Sequence, residues 1–372
     1  MELKNSAMFL AMLVVISAFT GCLGDDDDDT TTSDPGEDGG YEYATNVDSH
    51  RLLVDDVCDI KALAEEAKWS EIETIYKDGV HSDKGSSMRT LQGFASAEGK
   101  MHPYDTYYNQ TGSIDAFIMS AINGDGIFTN TSNSVREQAI EKGIQNVLMT
   151  AYVIHELNTA IDKETKGTAN AVHNWDEGWA FFHGASPGCG PYATGAKRAA
   201  NFGTDNPSLA ILEEMKAGRD LLNNDGITTE QDNVDAVVKN LVITYSQAAI
   251  RYASKMTSDE TLAAAQTHQA EGMAFWMVIE PLVATYTSGC YNMDTHEASY
   301  ADAATCAAKE DGNYTWIPNW GANDINSKVY DLSMDLEQAR TDEFDFKANV
   351  EEHLQPVWDH FGITSTDIGT LQ

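Results

Sequence analysis

The chain predicts an all-α fold: a helical bundle built from an internal duplication, with long surface loops. Three observations carry this. Apolar residues recur at helical spacing through most of the sequence, strand-like alternation is scarce, and one unit is written twice. Asn123-Gly124-Asp125-Gly126-Ile127-Phe128-Thr129 returns 100 residues later as Asn223-Asn224-Asp225-Gly226-Ile227-Thr228-Thr229. Glu177-Gly178-Trp179-Ala180-Phe181-Phe182 returns 94 residues later as Glu271-Gly272-Met273-Ala274-Phe275-Trp276, and Asn146 and Asn240 share that 94-residue offset. The repeats span about 113–190 and 213–287 within a helical domain of 48–365.

The first 22 residues read as an export signal. Lys4 is a short positive head, and Ala7 to Phe19 is an apolar run too short for a comfortable membrane span. Phe19-Thr20-Gly21-Cys22 then offers Cys22 for lipidation, which places the mature protein outside the cytoplasm, anchored to the outer face of the membrane. Residues 23–47, with Asp25 to Asp29 followed by Thr, Ser, Pro and Gly, predict a disordered acidic tether that holds the domain off the membrane.

Helices follow in order. Asp48 or Ser49 caps one that carries Leu52, Leu53, Val57, Ile60, Leu63 and Ile72 and ends near Gly79. Ser113 opens the next, which stops at Asn123-Gly124. Ser134 to about Ile161 is long and apolar on one face, and Trp175 to Phe182 is short and closed by Gly184. Asn206-Pro207-Ser208 opens a helix running to about Asn223; Asn233–Met256 and Ser258 to about Tyr286 repeat the long and short helices. Two tail helices fall around 328–340 and 343–360. The Asn-x-Asp-Gly segments fail as EF-hand loops: with Gly126 or Gly226 sixth, the first position is Ala121 or Leu221 and the twelfth Ser132 or Asp232. They read as turns whose Asn and Asp cap the following helix.

With 59 acidic against 23 basic residues, the formal charge is −36. That excludes nucleic acid as a partner, because phosphate contacts need a basic surface. Leaving Cys22 aside, four cysteines outside the cell suggest two disulfides; of three pairings we favour Cys290–Cys306 as a local loop and Cys58–Cys189 as a long tie. No CxxC pair is present, which argues against a zinc ribbon. Asn109, Asn130 and Asn313 stand in glycosylation sequons.

Each repeated glutamate follows a histidine. His173 and Glu177 are four apart and His268 and Glu271 three apart, so on helices each pair shares a face. Such pairs on facing helices are one way to ligate iron inside a bundle. Asp176 adds a carboxylate and His155-Glu156 lies on the preceding long helix. Imidazole with hard oxygen donors suits iron, manganese or zinc. The two copies are expected to place these groups around a common cavity. His155-Glu156 lacks the second histidine of a zinc-protease helix, and no GxSxG or P-loop is present.

Trp175-Asp176-Glu177-Gly178-Trp179-Ala180-Phe181-Phe182-His183-Gly184, then Tyr192, then Lys197-Arg198-Ala199-Ala200-Asn201-Phe202, resembles the WDExxAFYxG…Y…KRxxNF pattern of the algal low-iron-inducible periplasmic proteins and the related phytotransferrins. Tyr76 to Ser82 is similar to a segment upstream in that family, and Phe182 stands where the family often has Tyr. The resemblance implies extracellular iron assimilation, with ferric iron held together with carbonate. The residues' own chemistry and spacing make Asp176, Glu177, Glu271, His173, His268, Tyr192 and His81 candidate metal ligands, with Arg89 a further polar group and Lys197 and Arg198 placed to grip the anion. The protein would be a binder rather than an enzyme, passing iron to an unidentified membrane transporter. A di-metal oxidase or exported metallohydrolase using the same Glu and His residues is the alternative, and a ligand-free envelope protein a third.

Overall fold

In a computed structural model the described residues are 37–223, 230–310 and 312–372, and they are mostly helical. The signal segment, Cys22, most of the acidic leader and most of the second Asn-x-Asp-Gly segment lie outside them.

The expected tether stops earlier than residue 47. Strands β1 (Glu37–Asp38) and β2 (Tyr41–Glu42) pair as an antiparallel hairpin. Tyr41, Tyr43 and Val47 are buried, because these three apolar side chains have a helix surface to pack on. The single helix expected to Gly79 is three: α1 (Asp48–Arg51), α2 (Leu53–Glu65) and α3 (Trp69–Asp78). Ala67, at φ 54°, turns the chain between the last two. Then come α4 (Leu91–Ala95), α5 (Tyr104–Tyr108) and α6 (Ser113–Asn123). The first Asn-x-Asp-Gly segment is a turn, but Asp125 accepts from Ser120 Oγ at 2.8 Å and Ser132 caps the helix that follows.

The long apolar segment is α7 (Asn133–Lys142), a π-helical stretch Gly143–Leu148, and α8 (Met149–Thr165). Asn146 sits in the π-helical stretch, fully buried, and its Oδ1 accepts from Thr194 and Tyr245 at 2.7 and 3.0 Å. Its sequence counterpart Asn240 merely donates to the Ala236 carbonyl. Next are α9 (Ala171–Phe182), α10 (Pro191–Phe202), α11 (Pro207–Asn223), α12 (Glu230–Ser258) and α13 (Leu262–Val283). α8 packs on α9, and α12 on α13. Trp175, Trp179, Trp276, Tyr104, Tyr152 and Tyr245 fill the core.

Both favoured disulfides form: Cys58–Cys189 ties α2 to the loop before α10, and Cys290–Cys306 closes a local loop. The second lies in a region not expected from the sequence, an antiparallel sheet of β3 (Gly289–Asn292), β4 (Ala298–Tyr300) and β5 (Tyr314–Ile317) in the order β4-β3-β5. The short α14 (Ala303–Ala307) separates β4 from β5. The tail helices are α15 (Trp320–Lys328), α16 (Leu336–Thr341), α17 (Phe346–Phe361) and α18 (Ser365–Ile368); residues 329–335, expected to be helical, form a turn.

Candidate functional site

The helical spacing of His173 and Glu177 brings them together on α9, with Nε2 3.2 Å from Glu177 Oε1. His50 on α1 places its Nδ1 3.1 Å from the same oxygen. The other oxygen, Oε2, accepts from Asn174 Nδ2 at 3.0 Å, and that amide also donates to Glu156 Oε2 on α8 at 2.7 Å. His155 Nε2 approaches Glu156 Oε1 at 3.8 Å. Two carboxyls and three imidazoles thus meet where α1, α8 and α9 pack, with His173 the most exposed of them.

Burial makes the pair share a proton unevenly. Burial and the charge of Glu177 push Glu156 well above the usual carboxylate range. Burial pushes Glu177 upward too, but His50 and His173 outweigh it and hold this carboxyl far below its ordinary value. His155 is lowered to about 3, first by burial and then by Lys100 and His102, so its ring is neutral; its Nδ1 accepts from the Met101 backbone N–H at 2.8 Å. The cluster therefore favours an anionic Glu177 beside a Glu156 carboxyl biased toward its protonated form.

Asp176 does not join it. It points to the other side of α9, where Tyr41 donates to Oδ1 at 2.8 Å and Thr45 donates to Oδ2 through its backbone N–H at 2.7 Å and its hydroxyl at 2.8 Å. Burial lifts its carboxyl to about 6 against those hydrogen bonds. The Thr45 hydroxyl also meets His173 Nδ1 at 2.9 Å. Asp176 is a positioning residue: through Thr45 it fixes the ring whose far nitrogen faces Glu177.

The second copy is not arranged like the first. Glu271 lies 3.7 Å from Lys142, and its charge faces the Tyr252 phenol. His268 turns away to Asp259 at 2.7 Å and to Lys255 at 3.4 Å. The Glu177 and Glu271 side chains therefore hold different partners, and the common cavity expected from the repeat is not found among the described residues. The reason is local: Lys142 and Tyr252 replace the histidines that flank Glu177. His81 pairs with Asp59 at 2.8 Å on an exposed face. Arg89 donates to Ser49 Oγ. Tyr192 packs on His183, with ring centroids 4.6 Å apart. Lys197 is exposed and Arg198 buried beside Tyr252 and Phe275. Thus of the candidate ligands only His173 and Glu177 meet, joined by His50, Glu156, His155 and Asn174. His155-Glu156 was visible as a pair on the long helix; nothing in local spacing marked His50.

A family model described as low iron-inducible periplasmic protein matches residues 18–372. The chain belongs to that family. Its description accords with an extracytoplasmic location and with iron acquisition. No curated protein and no solved structure matches. Among the described residues no helix is long and apolar enough to cross a membrane, and no group of three or more His, Cys, Asp or Glu side chains stands ready to hold a metal ion. In this family member the cluster's donors are closed on one another.

Proposed function

We propose that this protein captures ferric iron outside the cytoplasm and that the cluster around Glu177 receives the ion. The observation that carries this reading is the approach of His50 Nδ1 and His173 Nε2 to one Glu177 oxygen, at 3.1 and 3.2 Å. Two donors at right angles around an ion, each about 2.1 Å from it, stand about 3.0 Å apart, so these separations match the edges of a coordination octahedron. Asn174 Oδ1 is buried with no hydrogen-bond partner, a further oxygen open to a cation. Entry of the ion displaces the Glu156 proton, which supplies a second carboxylate and offsets the positive charge. Carbonate, as the resemblance implies, fills positions the protein leaves to solvent.

Cys22 carries the lipid that anchors the protein, the acidic leader spaces it from the membrane, and a separate transporter takes the cargo. The two helix pairs descend from one duplicated unit, of which only the first kept its metal-binding side chains. The protein binds without turnover. The test is calorimetric titration of the whole protein with a ferric chelate, with and without bicarbonate. One ion per chain is expected, with affinity at least tenfold weaker in Glu177→Gln and little changed in Glu271→Gln. Equal affinity in wild type and Glu177→Gln removes the site. Catalytic consumption of ferrous iron and oxygen would favour the oxidase alternative instead.

A further inference from the structure

A second cluster, on α2, α7, α10, α12 and α13, has no part in that reading. The chain has 59 acidic residues and only 23 basic ones, so a buried guanidinium has many carboxylates to choose from. Arg51 takes two, Asp38 and Asp48. Arg198 takes none. It is 6% exposed, and its Nε and Nη1 are buried without a hydrogen-bond partner. Its guanidinium carbon lies 5.6 and 5.8 Å from the Tyr252 and Phe275 ring centres. Arg251, 5.7 Å from the Tyr252 ring, likewise has a buried Nε with no partner. Leaving such donors unpaired is costly unless something arrives to accept from them.

Further cations stand close by. Lys61 and Lys142 share Glu141, at 2.5 and 2.8 Å, and Lys142 also reaches toward Glu271. Lys197, beside Arg198 in the chain, is exposed at the rim; partial desolvation of its ammonium and then the charges of Lys61 and Lys142 push it below the ordinary lysine range. These cations gather around Glu141 and Glu271, with Glu137 also facing Lys142, a locally basic patch in a protein whose formal charge is −36. The π-helical stretch begins directly after Lys142, and such irregularities gather at functional sites.

We propose that Lys61, Lys142, Lys197 and Arg198 form a binding site for a small dianionic oxyanion of the phosphate type, occupied without iron and independently of the Glu177 cluster. The buried guanidinium supplies charge-assisted donors, the neighbouring lysines supply positive charge that suits an oxyanion, and Lys197 at the rim is the contact the ligand meets first. This site lies apart from the proposed iron ligands, so its test does not depend on them.

The experiment titrates the whole, metal-free protein with inorganic phosphate in 0.15 M NaCl, read by calorimetry and by ³¹P line broadening. Saturable binding of one phosphate per chain is expected. It should weaken at least tenfold in Arg198→Met and several-fold in Lys197→Met, a surface change that leaves folding intact. Glu177→Gln and the exposed control Lys77→Met should bind as wild type does. Competition by glycerol phosphate would show that an esterified phosphate is also accepted; competition by free phosphate alone would assign the inorganic ion. The proposal is overturned by absence of saturable binding, by phosphate binding that appears only in iron-loaded protein, by wild-type affinity in both Arg198→Met and Lys197→Met, or by bicarbonate binding more tightly than phosphate.

Discussion

Glu177 and Glu156 are two carboxyls of the same kind set apart by their neighbours: one faces two imidazoles, the other faces a carboxylate and an amide. Glu156→Gln should therefore fold nearly as wild type does, since burial and the Glu177 charge already favour the neutral form that the amide mimics, yet bind iron more weakly; equal affinity would show that Glu156 donates nothing. Asp176→Asn replaces one acceptor oxygen with a donor and spoils at least one of three bonds. It should cost roughly 1–3 kcal/mol in chemical denaturation. It should also weaken iron binding, because His173 loses its support; a loss of stability with unchanged iron affinity would deny it the positioning role. Asp56 offers a pH test. It is fully buried, it accepts from the backbone N–H groups of Val80 and His81, and burial raises its carboxyl to about 6. It holds its proton more firmly folded than unfolded, so its contribution to stability falls as pH rises from about 4 to about 6. Melting curves of Asp56→Asn against wild type should differ more at pH 7 than at pH 4, with the variant gaining; an offset independent of pH would contradict this.

Among elements, the helices that repeat an apolar stripe were legible in the sequence: α9, α11, α12 and α13 fall within a few residues of where the spacing put them. What was not legible depends on partners distant in the chain. β3 pairs with β5 across a gap of more than 20 residues, and neither strand is long enough to show alternation. The β1–β2 hairpin reads as polar linker because its fixing contacts, Tyr41 stacked on Trp179 and Trp179 Nε1 donating to the Asp38 carbonyl, come from α9. The candidate site follows the same rule: the i,i+4 pair on one helix was readable, whereas His50 arrives from α1 by tertiary packing. Two changes probe these contacts between elements. A Cβ on Gly218 would lie 2.0 Å from the Trp175 ring, so Gly218→Ala should force α11 off α9 and lower the melting temperature by several degrees. The paired replacement Cys58→Ser, Cys189→Ser opens a loop of 131 residues, worth about 5 kcal/mol in the chain-entropy view of cross-links. A melting temperature unchanged by either would deny these contacts a role in stability.

At the scale of the whole molecule, the excess of acid repels itself, and the folded state concentrates that charge. Raising NaCl from about 10 mM to about 0.5 M shortens the screening distance severalfold and should raise the melting temperature steadily. A flat or falling trend would mean the surface charges are already neutralised in pairs. The N-terminal hairpin has a practical consequence. Thr45 lies in a stretch whose composition invites trimming, yet it is the splint that holds the His173 ring in place. A shortened recombinant protein starting at Asp48 would keep every cluster side chain and lose the brace behind one of them. Weak iron uptake by such a product would reflect where the gene was cut.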